Sequence, residues 1–381
     1  MRVCYFGTYR TVYSRNEIMI EGLRRAGVEV VECQIPLWAG IDDRVQVALG
    51  GWAQSGFFRR VLSTYRRLLS AFRKVDDFDI LMLGYPGQID AYLARLLAWQ
   101  RRKPLVLDVF MSIYLIAWER GLVARKPITG RLIWWLENVA CRLPDKLILD
   151  TAEYVDWFHQ TYGMPQGRFG LVPTGADDRI YQPLEPPPVR GDGQFRVLYY
   201  GTYIPLHGVD KIIQAAAQLE DHQDIVFELI GTGPEKDKAM ALARELDLAN
   251  VSFDGWLDKH EIPARVANVD LCLGVFGTSE QSKRTIQNKI YEGLAMRKPV
   301  ITGDSPTVSH SLVHGQHVYL VPRDDPAALA QAILELKGSP DLRDRLAEQG
   351  YAHFRANFAL EAIGQRTRTV LEEVLAQANR G

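Results

Sequence analysis

Short apolar runs closed by glycine alternate with amphipathic stretches along this chain, and the alternation begins twice. The first run, "RVCYF" from Arg2, ends in Gly-Thr-Tyr. So short an unbroken run of β-branched and aromatic residues predicts a strand buried on both faces, and the glycine permits a sharp exit turn. "NEIMIEGLRRAGVEV" follows, with Ile18, Met19 and Leu23 at helical spacing and Gly27 as the stop, and then the strand-like "VEVVECQI". From Phe195 the chain writes "FRVLYYGTY", then the amphipathic "GVDKIIQAAAQLED" and "IVFELIG". Each opening predicts a βαβ unit. First strands draw on a small alphabet, so chance resemblance over nine residues is the competing explanation. The alternation continues through "FELIGTGPEKDKAMALARELDL", "NVSFDGWLDKHEIPARVANV", "DLCLGVFG", "NKIYEGLAM" and "KPVITGD". Short segments with glycine-marked turns are what a parallel sheet with helical crossovers requires.

Between the two openings lies "YQPLEPPPVRGDGQ", dense in Pro and Gly and without periodicity. It predicts a linker at 184–193 between a first domain, 1–183, and a second, 194–359. A chain of 381 residues exceeds one ordinary core, which agrees. The fold class expected is α/β, two doubly wound parallel-sheet domains. Ligands of such sheets bind beyond the carboxyl ends of the strands, so the two Gly-Thr-Tyr turns would line one central cleft if the domains face each other. The formal net charge of −1 provides no global field for nucleic acid. Cys4, Cys33, Cys141 and Cys272 are scattered, without CxxC. That spacing argues against a zinc site or disulfide framework and fits a reducing cytoplasm. The opening residues do not read as a signal peptide, and the longest apolar run, "PLVLDVFMSIYLIAW", is broken by Asp108 and too short to span a bilayer.

Four stretches in fixed order, "VPTGADDRIYQP", "GTYIPLHGVDKIIQAA", "LIGTGPEKDKAMALARELDL" with "NVSFDGWLDKHEIPA", and "NKIYEGLAMRKPVITGD", cover nearly all of residues 170–325. Together they resemble the retaining GT-B glycosyltransferases of family four, in a branch carrying Asn-Lys-x-x-Glu. The resemblance implies a nucleotide-sugar donor held mainly by the second domain, an acceptor on the first, and a last helix, about 360–381, crossing back to the first domain. It places Gly201, Thr202, His207, Gly231, Gly233, Trp256, Phe276, Gly277, Thr278, Asn288 and Glu292 at the donor. Glu292 has the two acceptor oxygens that suit a ribose diol; alone it would read as a solvated glutamate favoured by the helix dipole. Backbone amides at 274–278 and 287–290 would meet the diphosphate at a helix start.

The chain departs from the family in two places. Where relatives carry Arg and Lys in the loop after the second domain's first strand, this sequence has Thr202 and His207; where they carry a glutamate eight positions before Glu292, it has Arg284. A diphosphate needs cationic or N–H donors, so a relocated clamp of Arg284 and Lys289, helped by Lys283, is expected. His207 would serve as a neutral donor, or as a cation beside phosphate; a plain surface turn residue is the alternative. Arg284 in the glutamate's place leaves the sugar open.

The first domain carries fewer signals. Strand ends there nominate Gly7, Thr8, Tyr9, Gly84, Gly87, Asp108, Ser112 and Tyr114 as the acceptor side. Asp108 is a candidate base for an acceptor hydroxyl and equally a loop cap. Family members explain retention by front-face attack, the leaving phosphate taking the acceptor proton, which needs strong phosphate stabilisation. No cofactor and no metal are expected: "DFD" at 77–79 reads as the polar entrance to a strand. "SGFFRRVLSTYRRLLSAFRK", with Trp52 upstream, reads either as a basic amphipathic helix on an anionic membrane, serving a polyprenol- or lipid-linked acceptor, or as an ordinary domain helix. "LIWWLENVACRLPDKLIL" is expected as core. The leading expectation is thus a cytoplasmic glycosyltransferase of cell-envelope glycans, with peripheral membrane contact left open. A silent nucleotide-sugar binder and a dinucleotide oxidoreductase are the alternatives, the latter weakened because neither Gly-Thr-Tyr turn forms GxGxxG.

Overall fold

The computed structural model describes residues 1–37, 55–186, 188 and 190–380; Trp52 lies outside them. Two compact units emerge, Met1–Thr174 with Leu360–Gly381, and Gly175–Ala359. The Pro-rich stretch 184–193 therefore lies within the second unit.

In the first unit β1 (Arg2–Gly7), β2 (Glu29–Gln34), β3 (Ile80–Leu83), β4 (Leu105–Asp108), β5 (Lys146–Leu149) and β6 (Phe169–Leu171) form a sheet in the order β2-β1-β3-β4-β5-β6. Every pair is parallel. Alternate residues feed opposite faces, as the pleat dictates. Cys4, Phe6, Leu105 and Leu107 pack under one helix layer, and Val3, Tyr5, Val106 and Ile148 under the other. The second face is covered by the helices Ser14–Arg25 and Leu360–Ala378. These two cross closely because Gly22 meets Gly364: a Cβ on Gly364 would lie 1.9 Å from the Gly22 carbonyl oxygen. Thr367 and Arg368 add hydrogen bonds to Met19 Sδ and the Ala26 carbonyl.

The second unit repeats the plan. Its strands β7 (Phe195–Tyr200), β8 (Ile225–Ile230), β9 (Val251–Asp254), β10 (Leu271–Leu273), β11 (Val300–Gly303) and β12 (Tyr319–Val321) run in the order β12-β11-β10-β7-β8-β9, again all parallel. Both sheets are thus doubly wound. The order reverses between β1 and β3 in one and between β7 and β10 in the other, and crevices form at such switch points. No helix among the described residues is long and apolar enough to cross a membrane.

Two expectations change here. The stretch from Leu132 is only half core: the helix Pro127–Arg142 buries Glu137, Ala140 and Cys141 but exposes Leu132 and Trp135. Asp108 has no exposed surface and gives both carboxylate oxygens to Arg15, at 2.9 Å each. Arg15 also donates to the Val172 and Pro173 carbonyls. A carboxylate so enclosed and ion-paired has no solvent path to an acceptor hydroxyl, which corrects its expected base role. Asp77 and Asp79 lie at the amino end of β3, where Asp79 accepts from the Arg2 backbone amide at 2.7 Å.

Breaking one side of a buried ion pair leaves an uncompensated charge and costs about 3–5 kcal/mol. Arg15→Met should therefore lower the urea unfolding midpoint strongly, and adding Asp108→Asn should recover part of the loss. An unchanged midpoint in the single variant would refute the pairing.

Candidate functional site

The glycines expected around the donor converge at the carboxyl ends of β7, β8 and β10. Gly201 and Gly231 both have φ of 138°, and a Cβ on Gly231 would lie 1.9 Å from the Gly201 carbonyl oxygen. No side chain fits between turns that touch backbone to backbone. Gly233 abuts the Tyr203 backbone, and a Cβ on Gly277 would fall 2.5 Å from the Pro205 and Leu206 carbonyl oxygens. The result is a floor of main chain at the β7–β10 switch point.

Lys289 stands over this floor. It is buried on the helix Asn288–Ala295, and its Nζ is so near Gly201 that a Cβ there would come within 2.9 Å of it. The ammonium lies 4.1 Å from the Tyr199 ring centroid and 3.3 Å from His207 Nδ1. Burial pushes its pKa down to about 7, partly opposed by the Glu292 carboxylate. Burial likewise pushes Glu292 up to about 7, against hydrogen bonds from the Tyr200 and Tyr181 hydroxyls and the charge of Lys289. Burial thus disfavours the charge of both groups, and each charge offsets part of that cost for the other.

His207 is settled by its partner. Its Nδ1 lies 2.5 Å from the Thr202 carbonyl, which only accepts, so Nδ1 carries the proton and Nε2 keeps its lone pair. Tyr199 Oη, which also donates to that carbonyl, lies 2.8 Å from the same nitrogen. Burial first, and then the Lys289 charge, depress the His207 pKa well below its ordinary value. The ring is neutral here, and the cation of this corner comes from the helix instead of the loop.

Other nominated residues divide. Arg284 donates to the carboxylate and carbonyl of Glu280, and Lys283 reaches the same carboxylate at 3.5 Å. Glu280, which carried no sequence signal, thus pairs with Arg284 of the expected clamp and with its helper Lys283. Phe276 is corrected: its side chain is buried in the core of the second unit, and only its backbone serves the loop, donating to the His207 carbonyl and accepting from Asp324. Trp256 is largely exposed, at 64%. Thr278 is exposed, while Asn288 and Thr202 are half-buried.

Two residues escaped sequence reasoning. Gln287, immediately before the helix of Lys289, has both amide atoms buried without a partner among the described residues. Arg323, just beyond β12, donates to the Gly277 and Asp304 carbonyls at 2.8 and 2.7 Å and leaves Nη2 buried and unpartnered. Burial lowers its pKa to about 10. Orphaned buried donors are rare in native proteins and call for an explanation. Gln287 opens the "QNKIYE" motif, where only its backbone amide was expected to serve; the strand-end position of "VPRDD" alone hinted at Arg323.

In the first unit most nominated polar groups are engaged in structure. A Cβ on Gly7 would lie 2.7 Å from Asp90 Oδ2. Buried Asp90 accepts from the Thr8 amide and hydroxyl and, at 2.6 Å, from Tyr65 Oη. Tyr9 is corrected from a lining residue to a core one, fully buried with its ring edge-on to Tyr5. Ser112 caps the helix Ile113–Glu119 through the Leu115 amide and donates to Glu137 at 2.6 Å, and the Tyr114 amide donates to the same carboxylate. Gly84 and Gly87 are buried, a Cβ on Gly87 falling 2.8 Å from the Gly84 carbonyl oxygen.

Comparison with known proteins decides the family. The model of Glycosyltransferase Family 4 matches residues 17–179, and that of glycosyl transferases group 1 matches residues 184–353. The chain is a family 4 glycosyltransferase. This glycosyltransferase is 25% identical to the alpha-D-kanosaminyltransferase of Streptomyces kanamyceticus over 71% of each chain. It is 29% identical to the lipopolysaccharide core biosynthesis glycosyltransferase LpsD of Rhizobium meliloti, over 47% of this chain and about half, 51%, of that one. In fold the glycosyltransferase is similar to the sucrose-phosphate synthase of Thermosynechococcus elongatus, with a TM-score of 0.75 at 16% identity, covering 99% and 100% of the two chains. It is similar also to Anabaena HepE in complex with UDP and glucose, with a TM-score of 0.67 at 17% identity, covering 98% and 100%. Two Rossmann-like sheets are the GT-B architecture.

The depressed His207 pKa has a stability consequence. Below its ordinary value of 6.5 the unfolded glycosyltransferase binds a proton that the folded one refuses, so stability falls as pH drops from 6.5 toward the folded pKa. His207→Gln should flatten the pH dependence of the unfolding midpoint in that window and leave it unchanged above pH 7. An unaltered acid slope would show that the ring is not held neutral.

Proposed function

We propose that the enzyme binds a nucleotide-diphosphate sugar on its second unit and transfers the sugar to a glycan or lipid-linked acceptor met by the first. The reading rests on one observation: Lys289 holds an ammonium over the Gly201 turn, in the corner where the family's loop cations are missing. A diphosphate arriving there would restore full charge to Lys289, because an adjacent anion opposes the burial that lowers its pKa. Backbone amides of the glycine turns and the start of the helix Asn288–Ala295 would add N–H donors. Arg323 Nη2 and the Gln287 amide supply the orphaned donors that such a ligand would satisfy. Glu292, with two acceptor oxygens, would take the ribose hydroxyls. Arg284 would join the clamp by exchanging Glu280 for phosphate.

The transfer proposed retains configuration, by front-face attack. The anomeric carbon–oxygen bond to the diphosphate breaks, the acceptor oxygen bonds to the same face, and the acceptor's proton passes to the departing phosphate oxygen. With Asp108 enclosed by Arg15, the leaving phosphate would take that proton. Stabilising the diphosphate's negative charge is then the main catalytic task, and side-chain cations would perform it without a metal. Similarity to a kanosaminyltransferase and to a lipopolysaccharide core enzyme supports amino-sugar or cell-envelope glycan chemistry.

Calorimetry with UDP, GDP and dTDP beside their nucleosides tests the clamp. Charged hydrogen bonds contribute about 1.5–3 kcal/mol, so Lys289→Met and Arg284→Ala should each weaken diphosphate binding roughly tenfold or more while nucleoside affinity holds. Equal losses for both ligands would sink the clamp. A transfer assay on wild type separates the enzyme from a silent binder.

A further inference from the structure

One face of the first unit carries a charge and an apolar ridge that the transfer reaction does not use. Three helices lie side by side on it: Ser55–Phe72, Asp90–Arg101 and Pro127–Arg142. Arg101 stacks on Phe72 and donates to the Val75 carbonyl, joining the first two. Tyr92 Oη donates to the Leu136 carbonyl and Arg95 to the Leu143 carbonyl, joining the second to the third.

The charge of this layer is one-sided. Residues 55–74 hold six Lys and Arg and no acid; residues 90–103 hold four and one acid, Asp90; residues 122–142 hold four and one acid, Glu137. Both acids are fully buried and hydrogen-bonded inward. Arg95 and Lys103 are paired with Asp145 and Asp77, so the outward positive charge comes chiefly from the first and third helices, on a chain whose net charge is −1. Arg59, Arg66 and Arg73 recur at seven-residue spacing, all exposed, so they line one side of the first helix.

The same surface is apolar where a soluble face should be polar. Phe58 and Leu62 are exposed one turn apart on the first helix, and Trp99 on the second. On the third, Ile128, Leu132 and Trp135 form a stripe at i, i+4 and i+7, exposed by 85%, 53% and 53%. A contiguous apolar patch rimmed by charge marks an interaction site.

We propose that the outer face of this three-helix layer docks on an anionic lipid bilayer. Exposed Trp, Ile and Leu suit the acyl boundary, and Arg and Lys among them suit the headgroups above it. A second copy of the chain is disfavoured, because a twofold contact would set this cationic face against itself. Nucleic acid would satisfy the cations and leave Ile128 and Leu132 with nothing to bury against. The surface belongs to the first unit alone, and its test does not depend on the donor reading.

Flotation of the full chain with vesicles tests the surface. Vesicles of phosphatidylcholine alone should recover little protein, and vesicles with about 30% phosphatidylglycerol should recover most of it. Raising salt from about 0.1 to about 0.5 M should weaken binding, because it screens the headgroup attraction. Arg66→Glu with Arg67→Glu should reduce binding roughly tenfold or more. Leu132→Ser with Trp135→Ser should do the same while keeping the dependence on anionic lipid, with thermal melts and nucleoside-diphosphate calorimetry unchanged in both pairs. Equal binding to neutral and anionic vesicles, no binding to either, or wild-type binding by both variant pairs would overturn the proposal. So would vesicle-independent self-association that the same substitutions abolish.

Discussion

A buried ammonium held against bare backbone organises the second unit's site. Lys289 can occupy its position only because Gly201 has no side chain, and Gly201 can approach β8 only because Gly231 has none either. Three residues from three elements thus depend on one another through steric exclusion alone. Burying the cation costs free energy, visible in the depression of its pKa to about 7. Such costs are tolerated where function requires a charge in a partly dry place. The Tyr199 ring and the Glu292 carboxylate moderate that cost without removing it.

The first unit handles buried charge in the opposite way. Asp108, Asp90 and Glu137 are all enclosed, and each is fully engaged by neighbouring donors. These carboxylates tie helices to strand ends and leave nothing to react. Burying them has a second effect. Because Asp90 and Glu137 are turned inward, the first and third helices of the outer layer present mainly positive charge. A structural solution inside the unit thereby shapes its surface chemistry.

Strand and helix order was legible in the sequence because periodicity and glycine turns are local properties. Every strand expected from "RVCYF", "FRVLYY", "FELIG", "VSFD", "DLCLG" and "PVITG" is present. The donor-side glycines were legible for the same reason: a backbone that must turn sharply at a strand end admits little else. The cationic composition of residues 55–74 was also plain, as was the absence of Arg and Lys from the loop after β7.

Partnership was decided by tertiary structure. Asp108 read equally as a base or a loop cap until β4 placed it beside Arg15, ninety-three positions away. Arg284 read as free until its own turn brought Glu280 back to it. The orphaned atoms of Gln287 and Arg323 and the exposed stripe of Ile128, Leu132 and Trp135 had no signature, since whether a polar atom is orphaned or an apolar one uncovered depends on what packs from elsewhere. Sequence by itself determined which residues could turn, span or carry charge. Only the folded chain decided which charges were already answered, because Coulombic and hydrogen-bond satisfaction is a property of neighbours in space.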